Sequence, residues 1–181
     1  MQPDIPPYRR LRPRLARRDA ISESAASISL SPGLVSLLDL PGKRGLSHQE
    51  VGSMGMTPQS AWNAAGAGLV ASARTRTGVE FYARPAYVAL GPDAPRGYEV
   101  RRKGASAAAW LAHPRAFSTL RTHFTAVMEP AGELVYFTRD CRELFVFDAA
   151  EEEVAAALGD TGVVRYSLGF PLLFTRDSAM V

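Results

Sequence analysis

Two runs late in the chain restrict its fold more than any other feature. Glu133–Thr138 and Glu143–Asp148 are apolar at successive positions (Leu134, Val135, Tyr136, Phe137; Leu144, Phe145, Val146, Phe147) and flank the polar stretch Arg139-Asp-Cys-Arg142. A strand turns successive side chains to opposite faces, so a strand that is apolar at every position must be buried on both. The two runs therefore read as a central β-hairpin with cover on each side. At 181 residues, 46% hydrophobic and 22% charged, the chain can supply that cover within one domain.

The cover is expected from helices on either side of the hairpin. Thr57 stands at an N-cap position, Pro58 at the first helical position, and Trp62, Ala65, Leu69, Val70 and Ala73 recur on one face. Gly66 and Gly68 cost such a helix about 1 kcal/mol each relative to alanine, and they let a neighbour approach closely. A short helix over Ser47–Ser53 precedes it. A second helical block over Ser106–Phe124 is interrupted at His113-Pro114 and carries Phe117, Leu120 and Phe124 on one stripe. Glu151–Leu158 is a third helix, with three glutamates in the first turn, where the helix dipole favours them, and Gly159 at its end. Strands are expected over 34–40, 79–84, 86–90, 98–102, 163–167 and 171–175. The order lacks a regular βαβ alternation. It specifies an α+β fold, a single domain with a mixed or mainly antiparallel sheet covered by two to four helices. Phe-Thr-Arg-Asp occurs twice, ending at Asp140 and Asp177; an aspartate that bonds its own backbone at a strand exit accounts for the repeat.

Charge is unevenly distributed. The formal net charge is +3 and the pI about 9.3, yet the first nineteen residues hold Arg9, Arg10, Arg12, Arg14, Arg17 and Arg18 against Asp4 and Asp19. The rest of the chain has a small acidic excess. With Pro3, Pro6, Pro7 and Pro13, residues 1–20 read as a flexible, disordered basic arm that folding does not require. Residues 21–33 read as a Ser/Ala-rich linker, and residues 34–181 as the α+β domain. Arg101, Arg102 and Lys103 form a second basic run at a strand end. Together with the six arginines of the arm, these are the expected contacts to an anion or nucleic acid.

Local chemistry is sparse. Cys141 stands beside Arg139 and Arg142, which favour a thiolate, and beside Asp140 and Glu143, which oppose it; as a hairpin-turn residue it is expected to face solvent. His48, His113 and His123 have no helical pair spacing, so no metal site is expected. His113, ahead of Pro114, reads as a helix cap, and His123 as a surface or boundary residue. Gly66-x-Gly68 falls inside a helix rather than after a strand, so it is not a phosphate loop, and no cofactor is expected. No apolar run reaches membrane-spanning length, and the single cysteine gives no sign of an oxidising compartment, so the expected location is the cytoplasm. Nineteen arginines against two lysines suggest a GC-rich bacterial genome. The expected function is non-enzymatic binding of a macromolecule, a protein partner first. The alternatives are nucleic-acid association through the arm, and an enzyme centred on Asp140–Glu143 and His123.

Overall fold

The computed structural model describes residues 6–103 and 105–176; Pro3, Asp4 and Asp177 lie outside the described residues. Nine strands, all paired antiparallel, form two sheets among those residues. β1 (Arg12–Arg17), β2 (Ser27–Ser31) and β3 (Leu34–Asp39) make a three-stranded sheet in the order β1-β3-β2. The second sheet contains β4 (Tyr82–Pro85), β5 (Gly97–Arg101), β6 (Val135–Phe137), β7 (Leu144–Phe147), β8 (Val163–Ser167) and β9 (Phe170–Leu173), in the order β4-β5-β7-β6-β8-β9. The helices are α1 (His48–Ser53), α2 (Pro58–Ser72), α3 (Tyr87–Leu90), α4 (Pro114–Met128) and α5 (Glu151–Leu158). The architecture is α+β, with two sheets where the sequence suggested one.

β6 and β7 are the central strands of the larger sheet, and every residue in them is buried. Tyr136, Leu144 and Val146 face the main core, which α2, α4 and the turn Ala107–Leu111 complete. Val135, Phe137, Phe145 and Phe147 face a smaller core closed by Val154 and Ala155 of α5 and by Ala86. Both faces of the hairpin are covered, as the unbroken apolar runs require. α2 is capped by Thr57 and α1 by Ser47, each through a reciprocal capping box.

Three expectations about the elements do not hold. The arm is not disordered over residues 6–20. Leu11 and Leu15 are each 1% exposed, and β1 pairs with β3 from Arg12 opposite Asp39 to Arg17 opposite Leu34. The reason is a period of two: Leu11, Pro13 and Leu15 are buried while Arg12 and Arg14 between them stay half-exposed. Pro13 fits because β1 is an edge strand and one side of its backbone needs no partner. The segment read as a linker likewise contributes β2. The third correction is residues 86–90: Tyr87–Leu90 form helix α3, with Ala86 at its N-cap position, instead of a strand. Pro85 ends β4, and Gly91, at φ 96°, closes the helical turn.

α2 and α4 meet through His113. Its Nδ1 accepts from the Arg115 backbone N–H (3.2 Å), which caps α4. Its ring lies 4.5 Å from that of Trp62, whose Nε1 donates to the Ala112 carbonyl (2.8 Å). Gly66 makes the approach possible, since a Cβ there would stand 2.3 Å from the imidazole. Burial and the neighbouring Arg115 push the His113 pKa down to about 4. The unfolded chain then binds a proton near pH 6.5 that the folded chain takes up only near 4. His113 therefore contributes its full stability above about pH 6.5, and that contribution falls away between there and about pH 4, by about 3 kcal/mol. Urea titrations across this range should show the loss in the parent, and a His113→Asn variant should lack that component.

Candidate functional site

A cleft of about 1370 Å³ opens over the same face of the larger sheet as the smaller core. Val135 on β6, Arg165 on β8 and Leu172 on β9 are directly opposite one another in register, so their side chains share that face and form the floor with Phe174. One wall is the start of α5, Ala149–Glu152; another is the β2–β3 turn, Ser31–Gly33; the loop 131–133 closes an end. Gly33 packs closely on β9: a Cβ there would come within 2.6 Å of Leu173 Cδ1, so a larger residue would require that side chain to shift.

Ion pairs hold much of the cleft in place. Asp148 accepts from Arg96 (2.9 Å) and from the Ala131 backbone N–H (3.3 Å), which ties the end loop to the strand exit. Glu133 pairs with Arg121 (3.0 Å), whose guanidinium also lies 4.7 Å from the centre of the Tyr166 ring. Arg176 pairs with Asp160 (3.2 Å). Burial pushes the Glu151 carboxyl above its ordinary range; Arg165 opposes that shift and Glu152 adds to it. Glu152 and Arg165 are exposed.

The nine basic residues marked in the sequence divide into two sets. Arg14, Arg17 and Arg18 are structural. Arg14 Nε donates to Asp39 (2.8 Å), Arg17 donates to the Thr161 carbonyl, and Arg18 donates to Ser29 and to the Pro32 carbonyl (3.2 Å). Arg9, Arg10, Arg101 and Lys103 are exposed, while Arg12 and Arg102 are half-buried. Burial lowers the Arg102 pKa and the charge on Arg12 lowers it further, so these two guanidiniums act on one another electrostatically.

The residues of the enzyme alternative come from two places in the fold, His123 from α4 and Asp140–Glu143 from the turn between β6 and β7. Asp140 Oδ1 accepts from the backbone N–H of Arg142 (2.9 Å) and of Glu143 (3.4 Å), so this aspartate is a turn-former. Cys141 does not face solvent as expected. It is 7% exposed, with φ 61°, and burial raises its thiol pKa against the opposing charges of Arg17 and Arg14. Its side chain belongs to the main core cluster. His123 is half-buried, 4.8 Å from the Phe81 ring and 5.2 Å from the Phe124 ring, and burial lowers its pKa. No hydrogen bond or ring contact among the described residues joins His123 to Asp140–Glu143.

No group of three or more potential metal ligands occurs among the described residues, and no helix there is long and apolar enough to cross a membrane. No family model, curated protein or solved structure matches the chain. Of the cleft residues, the sequence marks Glu151–Glu152 as helix-dipole partners together with Glu153, Val135 within an apolar run, and Phe174–Arg176 within the repeated Phe-Thr-Arg-Asp. The remaining lining comes from segments too far apart for any local spacing to mark.

Proposed function

We propose that this protein is a non-enzymatic binding domain for another macromolecule, and that the cleft on β8 and β9 is where the partner sits. The observation that carries this reading is the cleft itself. Small-molecule sites usually enclose about 300–1,000 Å³, whereas this cleft is larger, about 1370 Å³, and is walled by separate segments of the chain. Its lining combines apolar floor residues with charged rims, which suits a polymer segment laid along the sheet. A photo-crosslinking residue at Thr175, inside the cleft, tests this in cells that express the protein. A discrete adduct from Thr175, with none from the exposed control position Arg74, is the expected result. Equal labelling from both positions, or none from either, would refute the reading.

Nucleic-acid association is the second reading, favoured by the exposure of Arg9, Arg10, Arg101 and Lys103 and by the mutual influence of the charges on Arg12 and Arg102. Its contacts are Arg9, Arg10, Arg101, Arg102 and Lys103, because Arg12 donates to the Arg9 and Leu11 carbonyls and Arg14, Arg17 and Arg18 are likewise engaged within the fold. Changing Arg9, Arg10, Arg101 and Lys103 to Ser should remove weak, sequence-independent binding while leaving the fold intact. In the parent, log K should fall against log salt with a slope near −0.9 for each phosphate neutralised. Fluorescence titrations of a labelled duplex at two salt concentrations would show both effects.

A further inference from the structure

We infer that the partner segment in the cleft is an extended polypeptide, apolar on one side and carrying lysine or arginine on the other. This rests on the reading of the cleft as a macromolecular site and specifies its occupant. The lining holds four carboxylates, Glu133, Asp148, Glu151 and Glu152, against two guanidiniums, Arg165 and Arg176. Asp148 is satisfied by Arg96, and Arg176 by Asp160, outside the lining. Among the described residues Glu151, Glu152 and Arg165 make no salt bridge, and burial raises the Glu151 carboxyl pKa against the charge of Arg165. Glu133, across the end loop, keeps 78% of its side chain exposed although it touches Arg121. The rim along α5 therefore has an acidic surplus, and the charge that completes it is a cation.

The floor sets the rest of the ligand. Leu172 and Phe174, both half-buried, offer apolar surface beside that rim, which rewards apolar side chains. An extended segment alternates its side chains, so one strand-like stretch can present apolar groups to the floor while cationic groups reach the glutamates. β9 does not recruit the segment as an added strand. Gly33 and the β2–β3 turn pack against Leu173, and Pro171 has no N–H to offer. Side chains carry the recognition.

Panning a display library of random peptides of about ten residues on the immobilised full chain tests the proposal while the natural partner is still unidentified. The expected winners alternate apolar residues with Lys or Arg, and they bind the Glu151→Lys/Glu152→Lys double variant at least about tenfold more weakly. Panning that double variant should reverse the preference toward acidic peptides, an outcome that a merely structural role for the two glutamates would not produce. Circular dichroism confirms that the variant is folded. Acidic or proline-rich winners on the parent, or basic winners that the double variant still binds equally, would overturn the inference about the occupant; the crosslinking result at Thr175 would still stand. Enrichment of no sequence on folded parent protein would overturn the inference as well, and a missing Thr175 adduct would then remove the reading beneath it.

Discussion

Deleting residues 1–20 is expected to unfold the protein or lower its melting temperature by at least about 10 °C. The deletion removes β1, one of the two neighbours of β3, together with Leu11 and Leu15, each 1% exposed in the main core. Truncating a buried leucine to alanine costs about 2–5 kcal/mol, so losing both costs about 4–10 kcal/mol before any strand pairing is counted. That is comparable with the whole stability of an ordinary domain, about 5–15 kcal/mol. At this size about 1 kcal/mol moves the midpoint by about 2–4 °C. Thermal melts followed by circular dichroism measure the effect. A paired control separates burial from charge: Arg9→Ser/Arg10→Ser alters two exposed residues and should leave the midpoint nearly unchanged, whereas Leu15→Ala alone should lower it clearly. A deletion variant that melts within about 2 °C of the parent would mean that β1 contributes nothing to the fold.

Phe145→Ala should cost about 3–5 kcal/mol. Phe145 is 1% exposed and lies on the smaller-core face, its ring centre 6.3 Å from that of Phe137 and 6.1 Å from that of Phe147. The strands on either side and α5 above hold the surroundings in place, so the void left by the ring cannot readily collapse. Urea denaturation should show a lower midpoint with an unchanged slope, the mark of a stability change without a change in the surface exposed on unfolding. Leu168→Ala, at a side chain 91% exposed, provides the surface comparison and should stay within about 0.5 kcal/mol. A cost below about 1 kcal/mol for Phe145→Ala would mean that the second face of the hairpin is not a core.

The parts of this structure legible in sequence are those where one local pattern has a single physical solution. Apolar residues at every position of 134–137 and 144–147 can only be a strand buried on both faces. Thr57-Pro58, His113-Pro114 and the glutamates before Gly159 each mark a helix end, and each is one. The N-terminal strand was hidden by competing signals. Four prolines and six arginines suggested a solvated arm, while the alternation Leu11-x-Pro13-x-Leu15 specified an edge strand with its arginines turned outward. Residues 86–90 failed for the opposite reason: Tyr87 and Val88 favour strands, but a proline on one side and a left-handed glycine on the other leave room only for one helical turn. The cleft was out of reach because its floor and walls come from residues 31–33, 131–135, 148–152 and 165–176. Only the order of the strands brings those segments together.

The placement of proline in this protein bears on its solubility. Each sheet ends in two strands whose outer backbone groups have no strand partner, and such edges are templates for joining one molecule to the next. Three of the four edge strands carry a proline within them: Pro13 in β1, Pro85 in β4 and Pro171 in β9. The fourth, β2, breaks its register at a bulge between Ser29 and Ser31. Every margin of the two sheets is thus spoiled as a docking template, by a missing donor or by an irregular spacing. These edges are poor templates for one molecule's sheet to extend into the next, and the proline and arginines that made the first segment look unstructured include part of that protection.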